Sequence, residues 1–446
     1  MAGTQSTQSI QYAKSTLEKK NKIISDKQLL EHQDEILRIL EEGSNVDVIY
    51  TDFEKAYEKV DHFQLLNKMK KRFRIKGKVL KWFQAFLQNR QQQVIIEGTK
   101  SNPSRVKSGS VQGSVLGPVI FLMYIEDMSK EVESNIKIFV DDAKVKNKIN
   151  NEDDVQNLQA DLDKMYNWQN TNNMKFNGTK FQVLRYGTNK EVKENTEYFT
   201  DDMEDIIQQY SSLRDLGITM SDDAKFDQHI DNVAKKVRKK MGWIFRTFNT
   251  RRVDIMKQLW KTLLQCHVDY CSQLFKPGQS QDIMKIEKLF HDFVAKIPEL
   301  RENDYWTNLQ KLKMLSQERR MERYRIISVW KCLEGLTPSC GLEPIEENLR
   351  IGRRCRVPQL RPGGRRAIQT LREQSFTING ARLFNTLPKT IREIRRSQDA
   401  FKESLDQHLM TVPDQPRMGR LVPTALDQTT GRCSNSLLAW ATTIRT

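Results

Sequence analysis

Residues 138–149, IFVDDAKVKNKI, set two adjacent aspartates between apolar, β-branched flanks. Acidic side chains are poor strand formers and neighbouring like charges repel. The segment therefore predicts a hairpin with Asp141 and Asp142 at its crest, not an uninterrupted strand. VDVIYTDF (46–53) is a second constraint: a short apolar run ending in Asp52, which reads as another strand. If the two segments are neighbours in one sheet, the three carboxylates converge on one spot. Mutual repulsion would then raise at least one of their pKa values unless cations compensate it. Magnesium, with its preference for oxygen ligands and substrate phosphates, supplies that compensation. Two such ions can hold the attacking and leaving oxygens of an in-line phosphoryl displacement.

The remaining pattern fills in an α+β chain. Leu29, Leu30, Ile36, Leu37 and Leu40 recur at helical spacing over 28–42, and Gly43-Ser44-Asn45 stops the helix. FQLLNKMKKRF and KGKVLKWFQAFLQNR read as basic amphipathic helices, and QQQVIIEG and SRVKSG as short strands. A glycine-rich turn at 108–118, SGSVQGSVLGP, opens the apolar helix VIFLMYIEDMSKEV. A helix through Leu158, Leu162, Met165 and Trp168 and a strand at FQVLRYG follow. Beyond 213–220, LRDLGITM, long helices dense in Lys and Arg run to about Gly335. Trp243, Phe245, Phe248 and Trp260 interleave with those basic residues and are expected in the helix core. RIGRRCRVPQLRPGGRR (350–366) reads as a basic linker before a short last module, SFTINGARLFNTLPKTIREI, and the tail after it has no period.

Charge points to the class of partner. A formal net charge of +16 over 446 residues suits a polyanion such as nucleic acid. The N-terminus lacks the apolar core of a secretory signal, and no stretch approaches a membrane span, so an intracellular, non-secreted protein without a membrane partner is expected. Six cysteines in so long a chain are not a disulfide framework. Cys266, His267 and Cys271 in QCHVDYC have no second pair at zinc-finger spacing and read as amphipathic helix.

Three spaced blocks carry a family likeness. YTDFEKAYEKVDH (50–62), SGSVQGSVLGPVIF (108–121) and FVDDAKV (139–145) resemble the successive palm motifs of a reverse transcriptase. WQNTNNMKFNGTK (168–180), SLRDLGITMSDDAKFDQHI (212–230), MGWIFRTFNTR (241–251), YWTNLQKLKMLSQERRMERY (305–324) and SFTINGARLFNTLPKTIR (375–392) extend the resemblance to the non-LTR, LINE-type enzymes, especially the Jockey-like group. The resemblance implies an RNA-directed DNA polymerase with a palm of antiparallel sheet and packed helices, a helical thumb and a small C-terminal module. Its implied boundaries are 1–45 for a helical remnant of the fingers region, 46–222 for the palm and 223–335 for the thumb. A basic linker at 336–366, a terminal module at 367–416 and a flexible tail at 417–446 complete them.

Carried over residue by residue, the resemblance makes Asp52 and Asp141 the metal ligands, with Asp142 supporting them and Mg²⁺, or Mn²⁺ in its place, as the cofactor. Tyr57 matches the aromatic beneath the incoming sugar that excludes a ribose 2′-OH. Phe53, Glu54, Lys55 and Ala56 match the segment whose backbone amides face the triphosphate. Gln112 and Gly113 match the turn at the nucleotide pocket, where glycine permits close approach and Gln offers both a donor and an acceptor. Lys180 matches the residue proposed to protonate departing pyrophosphate, and Leu216, Gly217 and Ile218 match the hairpin that grips the primer. The implied partners are an RNA template, a DNA primer or target, dNTPs and the element RNA as a ribonucleoprotein, in nucleus or cytoplasm.

The chain departs from the family pattern in places. Val111 stands where Pro is usual, Glu58 where Asp is usual, and Val140, an accepted variant, precedes Asp141. Residues 1–51 hold neither fingers motifs nor an endonuclease, so the resemblance implies an N-terminally truncated palm and thumb with weakened catalysis. Two other functions stay open at this level: a catalytically inactive nucleic-acid binder, decayed or co-opted, and a basic helical scaffold for a protein partner.

Overall fold

The computed structural model describes residues 26–111, 113–189, 196–200, 205–346, 351–412, 414 and 436–438. Gln112, the first residues of the expected fingers remnant and nearly all of the expected tail lie outside them. The described chain forms two compact units. One is residues 44–211; the other joins helix α1 (residues 26–41) to everything from Ser212 onward. The architecture is α+β, as expected from the sequence.

The first unit is built on a five-stranded sheet. Its strands are β1 (Asn45–Asp52), β2 (Asn135–Phe139), β3 (Asp142–Ile149), β4 (Gln182–Tyr186) and β5 (Gln208–Tyr210), in the order β2-β3-β1-β4-β5. All pairs are antiparallel except β4 with β5. Its main helices are α2 (Ala56–Lys59), α3 (His62–Lys71), α4 (Gly77–Leu87), α5 (Gly117–Ile125) and α6 (Glu152–Asn172). Ile49, Ala143, Val145 and Val183 of the sheet join Phe121, Tyr124, Leu158, Leu162, Met165 and Trp168 of the helices in one apolar core. The Asn151 side chain caps α6 by accepting from Asp154 N, and three acids in its first turn favour the same helix end.

The apolar stretch at 119–132 is not one helix. It breaks after Ile125 and resumes at Met128–Glu131. Just past the break, the Asp127 carboxylate accepts from Lys68 Nζ at 2.8 Å and from Trp168 Nε1 at 2.9 Å. Lys68 is nearly buried, also donates to Tyr124 O at 2.7 Å and lies over the Tyr124 ring. Burial pushes its pKa down, against the pull of Asp127. Lys68→Ala would leave Asp127 in the core with only Arg72 as a cationic partner, at 2.9 Å. The expected loss is about 3 kcal/mol of unfolding free energy, read from urea denaturation.

The second unit opens with the hairpin β6 (Ser212–Asp215) and β7 (Ile218–Ser221) and continues almost entirely helical. Its main helices include α7 (Asp227–Thr247), α8 (Ser280–Val294) and α9 (Gln317–Leu333). Trp260 is fully buried as expected, whereas Trp243 is half exposed, because it lies off the α7 stripe formed by Ile230, Val233, Ala234, Val237, Met241 and Ile244. The QCHVDYC segment is helical over Gln265–Asp269. Part of the stretch expected to be a basic linker is ordered: Pro344–Glu346 pairs with Arg353–Cys355 as antiparallel strands. The reason is that Arg353 is buried rather than solvated, bonded to Glu334 and to Leu333 O at 2.7 Å.

His229 on α7 accepts from Thr219 N through Nδ1 at 3.2 Å, so the proton of the neutral ring sits on Nε2. Burial, helped by the charge of Arg214, brings its pKa down to about 4 from the ordinary 6.5. Between those values the unfolded chain takes up a proton that the folded chain refuses. Stability should therefore fall as pH drops from about 6.5 toward 4, by an amount on the order of 2–3 kcal/mol. His229→Asn, which keeps an acceptor for Thr219, should flatten that slope in melting curves recorded against pH.

Candidate active site

Strand pairing brings two of the three acids together. Asp52, the last residue of β1, stands directly opposite Asp142, the first residue of β3, and Phe139 faces Asp142 across the hairpin. Residues opposed in an antiparallel pair share a face of the sheet, so Asp52 and Asp142 are the pair in register. Asp141 sits beside them in the two-residue turn Val140–Asp141. Val140 has φ of 57° there, a left-handed conformation that costs a β-branched residue about 1–3 kcal/mol and recurs at functional sites.

The other end of the site is stitched to segments distant in sequence. Asn177 N donates to Asp52 O and Glu54 N to Lys175 O, both at 2.8 Å, and Phe53 stacks on Phe176 with centroids 4.6 Å apart. The Glu54 amide is thus engaged by the chain itself, and the Phe53 ring is buried. Lys55 opens α2 with φ of 52°. Lys180 donates through Nζ to Asp52 Oδ2, and its pKa is raised first by that bond and then by the charges of Asp52, Asp141 and Asp142.

Tyr57 stands on α2 with its ring stacked on Phe121, centroids 5.1 Å apart. Its hydroxyl pKa is raised first by burial and then by the charge of Asp141. The glycine-rich turn packs against the same helix. Ser110 N donates to Tyr57 O and Gly109 N to Val60 O, each at 2.8 Å. A Cβ on Gly109 would lie 2.9 Å from Tyr57 O, and φ there is +91°, so only glycine fits. Past the turn, Gly113 has φ of 82° with open space around it.

Two residues that fasten the turn escaped sequence reasoning. His62 Nε2 lies 2.9 Å from Gly109 O, and Arg90 donates to the same carbonyl at 3.0 Å. His62 closes the 50–62 block without a role of its own in it, Arg90 lies outside the spaced blocks, and the carbonyl they share is distant from both in sequence. Leu216, Gly217 and Ile218 belong to the second unit, where Leu216 and Gly217 form the two-residue turn between β6 and β7, both with positive φ. Tyr270 OH donates to Leu216 O at 2.6 Å and fixes that turn.

The donor set suits a hard cation such as magnesium, because it is all carboxylate oxygen. Among the described residues, however, no three His, Cys, Asp or Glu side chains are already gathered around one metal position. Chemically the acids fit the ion; geometrically they would have to close on it.

Comparison with known proteins bears on the family. Residues 6–220 match the family described as reverse transcriptase (RNA-dependent DNA polymerase). The RNA-directed DNA polymerase from mobile element jockey of Drosophila melanogaster is 26% identical over 256 residues, 54% of this chain and 27% of that protein. Its counterpart in Drosophila funebris is 23% identical over 284 residues, 58% of this chain and 29% of that protein. Over residues 6–220 the chain thus carries a reverse transcriptase domain, and its similarity to the jockey and X-element polymerases supports the LINE-type, non-LTR likeness. It spans little more than a quarter of the length of those relatives. Apo telomerase from Candida tropicalis shares 14% identity over 72% of this chain and 52% of its own, at a TM-score of 0.36, too distant to place any element. No helix among the described residues is long and apolar enough to cross a membrane.

Proposed function

We propose that the chain acts as an RNA-directed DNA polymerase of the non-LTR retrotransposon type, extending a primer 3′-OH along an RNA template with dNTPs. The observation that carries this reading is the register of Asp52 against Asp142, with Asp141 in the adjoining turn. Asp52 and Asp141 would hold Mg²⁺ or Mn²⁺, supported by Asp142. Bound ions would make the 3′-OH a better nucleophile and neutralise charge on the phosphoryl group in flight. The chain's own residues do the positioning. Tyr57, wedged on Phe121, forms a stiff floor for the sugar, and Phe53 to Ala56 with Gln112 and Gly113 border the nucleotide. Lys180 supplies the proton to departing pyrophosphate, and Leu216, Gly217 and Ile218 grip the primer. Residues 223–335 serve as the thumb, whose Lys and Arg follow the duplex through its phosphates and bind less tightly as salt rises.

The test is extension of a DNA primer on RNA by the purified chain with Mg²⁺ or Mn²⁺. Product above that of Asp141→Asn is expected, and product equal to it would refute the proposal. A second reading, nucleic-acid binding without catalysis, is favoured by the formal net charge of +16, which serves binding whether or not the carboxylates act. It predicts salt-sensitive binding of RNA or DNA that Asp141→Asn leaves intact, and no extension. Residence in the nucleus or cytoplasm, with the element RNA as partner, goes with either reading.

A further inference from the structure

Lys180 has a second relation to the carboxylates, and it rests on the reading of Asp52 as a metal ligand. The lysine ends the short turn Gly178–Lys180, and this turn is pinned beside the strand end: Asn177 N donates to Asp52 O at 2.8 Å, and Lys180 N to Asn177 O at 2.9 Å. From there its ammonium reaches Asp52 Oδ2. The two ends of the pair differ in freedom. The Lys180 side chain is 57% exposed and that of Asp52 17%. Asp141 and Asp142 act on the same ammonium through space. One largely exposed positive charge thus stands beside three negative ones.

An ammonium on one oxygen of a carboxylate repels a divalent cation approaching the same group at close range and competes with it for lone pairs, so the two oppose each other's binding. We infer that Lys180 is a displaceable cation: it holds Asp52 when no divalent ion is bound, and entry of the ion releases it toward the substrate phosphates. The exchange breaks one ion pair and forms carboxylate–metal contacts; the ammonium keeps its proton throughout. Two consequences follow. Lys180 weakens divalent binding, and it becomes free to meet phosphate only once the site is charged. An exposed carboxylate group with no such lysine would bind its ions sooner and lack the timing.

The experiment is Mn²⁺ binding to the full chain without nucleic acid or dNTP, measured by calorimetry and by the magnetic resonance signal of free Mn²⁺. Lys180→Met and Lys180→Ala should each bind Mn²⁺ about two- to fivefold more tightly than wild type, the range an exposed ion pair can impose. Lys175→Met removes an equal charge from an exposed neighbour and should leave affinity unchanged, which separates the ion pair from net charge. Added KCl should narrow the gap between wild type and the Lys180 variants, since salt screens an exposed pair. Equal or weaker binding by both Lys180 variants overturns the inference. Asp52→Asn and Asp141→Asn judge the underlying site separately. If they leave Mn²⁺ binding of the wild-type background unchanged, the carboxylates are not the metal site. If they abolish it while the Lys180 variants match wild type, the site stands and the displaceable cation falls.

Discussion

Asp52→Asn should lower nucleotide incorporation by roughly a thousandfold or more while leaving the first unit folded. Asparagine keeps the size and one carbonyl oxygen of the side chain but removes the charge that would hold a divalent ion and that now holds Lys180. Stabilising charge in a transferring phosphoryl group is usually the largest catalytic contribution, and loss of one preorganised group already costs about 10²–10³ in rate. Folding should tolerate the change, because Asp52 lies at the very end of β1 and its backbone carbonyl, not its carboxylate, receives Asn177 N. Asp142→Asn provides the comparison within the register pair. If Asp142 only supports the ligands, its substitution should cost about tenfold, well short of the loss at Asp52. Steady-state extension rates, with circular dichroism as the folding control, decide between these magnitudes.

The largest expected effect on stability lies in the second unit. Arg325 on α9 is 1% exposed and donates to Gln273 O, Gln374 O and Asn379 Oδ1 at 2.8 Å and to Leu274 O at 3.2 Å. Burial brings its pKa down to about 9, with Glu322 pulling the other way. One guanidinium therefore ties three chain segments together, largely through backbone carbonyls. Arg325→Ala would orphan those acceptors and open a cavity. Each buried acceptor left without a donor costs about 1–3 kcal/mol, so a loss of at least about 4 kcal/mol is expected, a large fraction of the stability of a typical domain. Arg325→Met, which fills the volume without donating, should lose less. Urea denaturation of both variants would show the ordering, and equal midpoints for wild type and Arg325→Ala would mean that the network carries no net stability.

Much of the first unit was legible because its apolar periods are regular. The hairpin around Asp141, the strand ending at Asp52 and the helix through Leu158, Leu162, Met165 and Trp168 all follow from spacing alone. What spacing cannot show is which polar side chains fold inward. A helix written QERRMERYRIISVWKCL reads as a solvated basic face, yet Arg319 and Arg325 are among the most buried side chains in the protein. Their partners are carbonyls and carboxylates brought close only by the tertiary fold. The same holds for Lys68 with Asp127 and for Lys180 with Asp52, pairs whose members lie far apart in sequence. Asp142 illustrates a finer limit: the DD pair was visible, but which member faces Asp52 depends on strand register, and that is set by the hairpin turn.

The proposed activity is transfer of a nucleotide to a primer at the site of these carboxylates. The most direct test is single-nucleotide incorporation: the full chain, a DNA primer on an RNA template, one complementary dNTP, and Mg²⁺ or Mn²⁺, sampled over time. A primer lengthened by one nucleotide is expected, absent with chelator and absent with folded Asp52→Asn. Wild-type product no greater than that of the folded Asp52→Asn protein would contradict it.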